Sequence, residues 1–348
     1  MNETRGGPVR FGFVGAGWIA HRALAPAVHA STGAVLQAAA ARDAERAATL
    51  EPAGRCYTDY RDLLADPDVD VVYLSLSNDL HHGWTLAALA AGKHVLCEKP
   101  LGLNLAQVTE MHDAARAADR LLVEAFWYRW HPRTRRLEEL IRTGTLGPIR
   151  ELEADFSFPG ADQPAMAGNY RLDPGRGGGA LYDVGCYTIS AAHLALGPDL
   201  VVEQAEAVFG PSGVDLAATV RLSAGSSAPG QDSTGRGAVA VARCGIAVPE
   251  RQALSVTGEA ARVDFTLGEA FTTWQQPCEL TITGPDGTVQ VERFAPVDAY
   301  RLMVESVAAA VRGRPGFMIE PEFSLAVSGT LDAARAAMTT LPGRPRAP

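Results

Sequence analysis

Val9-Arg10-Phe11-Gly12-Phe13-Val14, followed at once by Gly15-Ala16-Gly17-Trp18-Ile19-Ala20, is the stretch that decides the fold. The first half is a short apolar run suited to a buried strand, and a helical stretch to about Ala30 follows the second. Strand, glycine turn and helix in that order are the setting in which G-x-G-x-x-A binds a dinucleotide. Gly15 permits the tight turn, Gly17 lets the backbone approach a pyrophosphate, and Ala20 allows close packing of the helix on the sheet. The helix amino terminus offers N–H groups to the phosphates. Gly15, Ala16, Gly17, Trp18 and Ile19 are therefore the expected dinucleotide loop.

Downstream, Val35 to Ala41 is a second strand by position and ends in Arg42-Asp43. An arginine there can pair with the 2′-phosphate of NADP, whereas an acidic residue would hold the ribose hydroxyls of NAD. Arg42 occupies the strand end itself, which favours NADP(H). Asp43 keeps NAD(H) open, or else caps the helix from Ala44 to Leu50. Val69 to Leu76 is a third strand, leading through Ser77-Asn78-Asp79-Leu80-His81-His82 into a helix from about Gly83 to Ala91. Asn78 and His81 then lie at a strand's carboxyl end, on the crevice of Gly15, where His81 is either a ligand contact or a solvated histidine. A fourth strand, His94 to Cys97, delivers Glu98-Lys99-Pro100 to the same edge, and a helix from Asn104 to Ala118 leads to a fifth, Leu121 to Phe126. Ligands of open α/β sheets bind outside the strand carboxyl ends, so Lys99 is the first catalytic candidate. Strands alternating with helices at this spacing mean a doubly wound parallel sheet.

After Phe126 the pattern changes. Trp127-Tyr128-Arg129-Trp130-His131-Pro132 is an aromatic, basic junction, and a helix to about Thr143 follows it. Leu152, Ala154, Phe156 and Phe158 then alternate with Glu151, Glu153, Asp155 and Ser157, as in an antiparallel strand with one buried face. More strands are expected at 201–209, 217–222, 238–242, 253–257, 262–267, 279–283 and 289–294, with Pro285-Asp286-Gly287 turning the last pair. Ser223 to Arg236 is rich in Ser, Gly and Pro and reads as a mobile loop. Helices at 299–312 and 322–340 close the chain. The expected organisation is a dinucleotide domain at 1–126, an α+β domain at 127–340 whose large sheet is mostly antiparallel, and a flexible tail at 341–348.

A second chemical segment follows the first sheet strand of that domain: Asn169-Tyr170-Arg171, then Gly175-Arg176-Gly177-Gly178-Gly179-Ala180-Leu181-Tyr182-Asp183-Val184-Gly185-Cys186-Tyr187. Glycines are costly to order, so a run of them implies that something approaches the backbone closely. On the helix after them Asp183 and Tyr187, four apart, share a face. A carboxylate and a phenol so placed can orient a hydroxylated substrate and move its proton. The plain alternative for Tyr187 is a core tyrosine with a satisfied hydroxyl. His193, six residues past Tyr187, falls on another face and reads as structural.

Composition narrows the class. The 348 residues are 47% hydrophobic and 20% charged, an ordinary globular balance with room for two domains. A net charge of -9 with no long basic run argues against nucleic acid. The five cysteines are scattered without a CxxC, which suggests neither a disulfide framework nor a metal site and fits a reducing cytoplasm. The amino terminus is polar, and no apolar stretch is long enough to span a bilayer, so no membrane association is expected.

The loop at Gly15, the Asn78 and His81 pair, Gly92 to Pro100 and Gly177 to Gly185, in this order, resemble the glucose-fructose oxidoreductase and inositol dehydrogenase family (Gfo/Idh/MocA) over nearly the whole chain. The resemblance implies a Rossmann domain plus an open-faced sheet domain, paired across that face into homodimers or homotetramers. It also implies that Lys99 and Asp183 line the substrate site. The inositol dehydrogenase pattern has a histidine where this chain has Tyr187 and an aspartate where it has Ser190. Tyrosine there is similar to the dihydrodiol and D-xylose dehydrogenases and the sugar 3-ketoreductases, in which it is the general acid or base. The expected activity is hydride transfer between a nicotinamide, NADP(H) before NAD(H), and a sugar carbon, with a ketosugar reductase ahead of a xylose or dihydrodiol dehydrogenase. Tyr187 would carry the proton, with Lys99 favouring phenolate and Asp183 orienting a hydroxyl. Arg129, Arg171 and Arg176 are candidates to clamp a nucleotide-linked sugar. A dinucleotide-binding sensor without catalysis is the rival from another class.

Overall fold

The computed structural model describes residues 7–161, 163, 166–225 and 237–341. Residues 226–236 of the expected loop and 342–348 of the expected tail lie outside them. The described chain divides into two compact units: one is the segment to Trp130 with Asp298–Ser324, the other His131–Val297 with the segment from Leu325.

The first unit is built on a parallel sheet of β1 (Val9–Val14), β2 (Ala34–Ala40), β3 (Arg55–Tyr57), β4 (Val71–Leu74), β5 (His94–Cys97) and β6 (Leu122–Glu124), in the order β3-β2-β1-β4-β5-β6. Phe11, Phe13, Val71, Val72, Leu74 and Leu96 are buried, as a parallel sheet covered on both faces requires. The strand order reverses between β1 and β4. There Gly15 N–H donates to Ala40 O at 2.9 Å and Ser75 N–H to Val14 O at 3.0 Å, so the glycine loop leaves the sheet at its switch point. Strand β3 was not expected, being too short to show a period. The helix expected from Gly83 starts at Asn78, where Asp79 in its first turn complements the amino-terminal dipole. The helix after the glycine loop widens to a π turn at Ala20–Leu24, with Ala25 N–H bonded to Ala20 O. Pro26 accounts for this, because its ring removes a donor and crowds the preceding carbonyl.

The boundary expected after Phe126 falls after Trp130, because the aromatic junction is buried against chain that returns from much later. Trp127 stacks on Tyr300 with ring centres 4.3 Å apart, Phe126 meets Phe323 edge-on at 6.3 Å, and Trp130 meets Phe317 at 5.2 Å. The first unit thus recruits the helix Ala299–Val311, and the second is discontinuous in sequence.

The second unit carries a sheet of β7 (Ile149–Pro159), β8 (Leu200–Phe209), β9 (Asp215–Ala224), β10 (Val239–Gly245), β11 (Ala247–Gly258), β12 (Arg262–Leu267), β13 (Cys278–Thr283), β14 (Val289–Phe294) and β15 (Met338–Thr340), in the order β14-β13-β12-β11-β7-β10-β9-β8-β15. Pairing is antiparallel except at β7/β10 and β8/β15. The closing helix expected to reach Thr340 ends at Ala337, and Met338 to Thr340 become β15. Leu152, Ala154 and Phe156 face the core as their alternation implies, beneath the buried helix Cys186–Leu196. Asp155 and Ser157, expected in solvent, are also buried: Ser157 Oγ donates to Asp155, and Arg251 pairs with the same carboxylate at 3.1 Å.

Candidate active site

In the first unit the glycine loop is shaped by β4. Gly15 has φ +96°, which favours glycine, and a Cβ there would collide with Ser75 O. At Gly17 a Cβ would make only ordinary contacts, with Ser75 Oγ at 3.4 Å and Ser75 O at 3.7 Å. Ala16 is buried, Trp18 is 76% exposed, and Ile19 lies behind it in the first helical turn. At the end of β2, Asp43 accepts Arg46 N–H at 2.6 Å as the cap of the helix Ala44–Ala48. Arg42 is exposed beside it. Arg46 Nε donates to Ala16 O at 3.0 Å and so joins this helix to the glycine loop. Sequence reasoning passed over Arg46, although one helical turn from Arg42 is a readable spacing.

Asn78 opens its helix and is buried. His81 has no exposed surface: Nδ1 lies 2.8 Å from Pro100 O and Nε2 3.3 Å from Leu76 O. Burial holds its pKa below the ordinary value, so the ring is neutral and its single N–H is assigned to the shorter contact, on Pro100 O. His81 is therefore a buried tie between the loops after β4 and β5, in place of the expected crevice-facing or solvated histidine. In the β5 loop, buried Glu98 accepts the Tyr73 hydroxyl at 2.9 Å, Lys99 is half-buried, and the Lys99-Pro100 bond is cis. Leu101 N–H donates to Glu124 Oε1 at 2.9 Å. Burial pushes the Glu124 carboxyl up to about 7, with the positive charge of Lys99 among the influences pulling it back. Glu124 was not singled out from sequence, since its partner in that bond is a backbone group. Arg129, a candidate substrate contact, is 8% exposed, with its guanidinium 4.2 Å from the Phe323 ring centre. A surface groove of about 510 Å³ lined by Arg61, Leu80 and Trp84 includes none of the candidates.

In the second unit the candidates converge. Asp183 and Tyr187 are each 5% exposed, Asp183 in a π turn at Leu181–Gly185 and Tyr187 in the α-helix that continues it. Arg171 Nε donates to Asp183 Oδ2 at 2.8 Å, and Asn169 fixes Arg171 by accepting its backbone N–H at 3.0 Å. The Tyr187 ring packs against Phe156 and Phe271 at 5.3 and 5.9 Å between centres, and those two rings stack on each other. The guanidinium carbons of Arg171 and Arg176 lie 4.9 and 5.9 Å from the centre of the Tyr170 ring. His193 bonds Gly197 O and Thr330 Oγ1, and burial brings its pKa down to about 4, as a structural histidine requires.

The loop that only glycine can turn at residue 15, the uncrowded backbone at Gly17 and the helix after them fit a dinucleotide pyrophosphate. Together with the buried carboxylate and phenol of the second unit they define a two-domain, nicotinamide-dependent oxidoreductase. The model for the Gfo/Idh/MocA oxidoreductases, described as an NAD-binding Rossmann fold, matches residues 9–126, and that for their C-terminal domain matches residues 134–264. The chain belongs to this family. A D-xylose 1-dehydrogenase (NADP(+)) from Haloferax volcanii is 34% identical over 325 residues, 93% of this chain and 95% of its own. A dTDP-3,4-didehydro-2,6-dideoxy-alpha-D-glucose 3-reductase from Actinomadura kijaniata is 39% identical over 57% of this chain and 59% of its own. Among solved structures, a 3-ketoreductase from Actinomadura kijaniata in complex with NADP and TDP-benzene superposes with a TM-score of 0.84 at 29% identity, covering 96% of this chain and 99% of that one.

Proposed function

We propose that this protein is an NADP(H)-dependent ketosugar reductase in which Tyr187 gives the proton to the substrate oxygen. The observation that carries the reading is the constrained Arg171-Asp183-Tyr187 set: a phenol walled by two aromatic rings, with an arginine-held carboxylate four residues before it. When bound, the nicotinamide supplies or accepts the hydride. Gly15 to Ile19 hold the pyrophosphate, Asn78 and Glu98 to Pro100 border the nicotinamide, and Arg42 pairs with the 2′-phosphate. Asp183, aligned by Arg171, accepts a hydrogen bond from a neighbouring substrate hydroxyl. Lys99 supplies the positive charge that offsets the charge developing on the substrate oxygen. Arg171 and Arg176 beside Tyr170 offer cations and an aromatic face suited to a nucleotide on the sugar. The NADP complex of the structural relative and the NADP(+) in the name of the xylose dehydrogenase support the cofactor assignment.

A second reading, oxidation of a free aldose, is favoured by the nearly full-length similarity to the D-xylose 1-dehydrogenase. The two separate on substrate: NADPH consumption with dTDP-linked 3-ketosugars against NADP+ reduction with D-xylose. In either direction Tyr187→Phe is expected to lower kcat about 100-fold or more while NADPH still binds. A Tyr187→Phe enzyme with an unchanged rate removes Tyr187 from the chemistry, and NADPH binding without turnover of either substrate class leaves the sensor reading in its place.

A further inference from the structure

The glycines before the Asp183 helix have close neighbours: Gly178 lies against the carbonyls of Tyr170, Arg171 and Asp173, and Gly179 against Asp215, the first residue of β9. Asp215 is 8% exposed, and its Oδ2 accepts Leu181 N–H at 2.6 Å. A Cβ at Gly179 would collide with Asp215 Oδ1, and Gly179 has φ +111°, so no other residue suits the place. The first N–H groups of a helix have no partner within it and need an outside acceptor, which a carboxyl oxygen provides. A serine, threonine or aspartate just before the helix usually provides this. Here a sheet strand 34 residues further along the chain does so.

We propose that Asp215 is a positioning residue: by anchoring the start of the helix to the sheet it sets where Asp183 and Tyr187 stand. The proposal rests on the proton-transfer role assigned above to those two side chains. Three other groups reach this carboxyl electrostatically: Arg335 and Tyr182, bonded to each other at 2.9 Å, and Cys244 of β10. Burial pushes the Asp215 carboxyl up to about 7. The anchored form therefore holds its proton more tightly than the released form, whose carboxyl keeps the ordinary value of about 4, so the anchor weakens as pH rises from about 4 to about 7 and levels off above that.

Amide hydrogen exchange on the full chain tests this without knowledge of the substrate. In Asp215→Ala, amides from Leu181 to Tyr187 should exchange about tenfold faster or more, while the rest of the sheet and NADPH affinity stay as in the parent protein. Asp215→Asn, which keeps an acceptor, should restore most of the protection, and its protection factors should lack the pH dependence expected of the parent between about pH 4 and 7. Unchanged exchange at Leu181 to Tyr187 in Asp215→Ala, or an equal rise throughout the unit, overturns the proposal. If Asp215→Ala does not fold, Asp215→Asn decides: loss of the pH dependence supports the anchor, and its persistence overturns it. Faster exchange in Asp215→Ala alongside a fully active Tyr187→Phe would overturn the proton-transfer reading and leave the anchor standing. Slow exchange alongside an inactive Tyr187→Phe would do the reverse.

Discussion

Arg42 and Arg46 are both exposed, one helical turn apart past the end of β2, and the carboxylate between them is committed to the Arg46 N–H. An acid at this strand end selects NAD by holding the ribose hydroxyls, and Asp43 is turned to capping instead. Two guanidinium groups suit a phosphate ester, which they meet with charge-assisted hydrogen bonds. Arg42→Ala is therefore expected to raise KM for NADPH roughly tenfold or more while leaving KM for NADH nearly unchanged, read from initial rates with each cofactor. Equal rises for both would take Arg42 away from the 2′-phosphate. The sequence carried this expectation because strand end and arginine are adjacent in it. It offered His81 as a crevice or solvated residue and Arg129 as a clamp, but it could not show that His81 is closed in between the carbonyls of Pro100 and Leu76, or that Arg129 stacks on a ring nearly two hundred residues later.

Among the elements, those with a strong local pattern were legible: β5, β12 and β14 fall where apolar runs and turn residues put them. The three-residue strands β3 and β15 were not, because a period of two has no room to declare itself there; β6, equally short, was found only through the longer apolar run from Leu121 to Phe126. The glycine loop was read for its phosphate chemistry, yet its two glycines answer to different constraints. Gly15 is demanded by the fold through its φ and Ser75, whereas at Gly17 only a ligand stands to be displaced. Gly15→Ala should lower Tm, with about 1–3 kcal/mol lost to the backbone conformation alone. Gly17→Ala should leave Tm close to that of the parent and weaken NADPH binding about tenfold or more, as seen by fluorescence titration. Parent-like NADPH affinity in Gly17→Ala would mean that this loop does not carry the pyrophosphate.

For the molecule as a whole, the outer face of the second unit's sheet stands out. Val289, Thr283, Arg262, Thr257, Glu151, Val239, Ser223 and Val201 pair strand to strand in one continuous row from β14 to β8, and none of them is buried. Val289, Val239 and Val201 are 58%, 44% and 48% exposed, and Val291, two residues on from Val289, is 42% exposed. The family resemblance implies pairing of copies across such a face, and this row is where that expectation is tested. Val289→Lys combined with Val291→Glu should shift the protein toward monomer in sedimentation velocity with its melting temperature retained. An unchanged sedimentation coefficient would place any self-association elsewhere. The aromatic junction has a consequence for how the molecule is made. Trp127 and Phe126 find Tyr300 and Phe323 only after the ribosome has passed the whole of His131–Val297. Domains generally fold as units in order of emergence. The amino-terminal unit must break that order, waiting with its aromatic edge uncovered until the inserted unit has been synthesised.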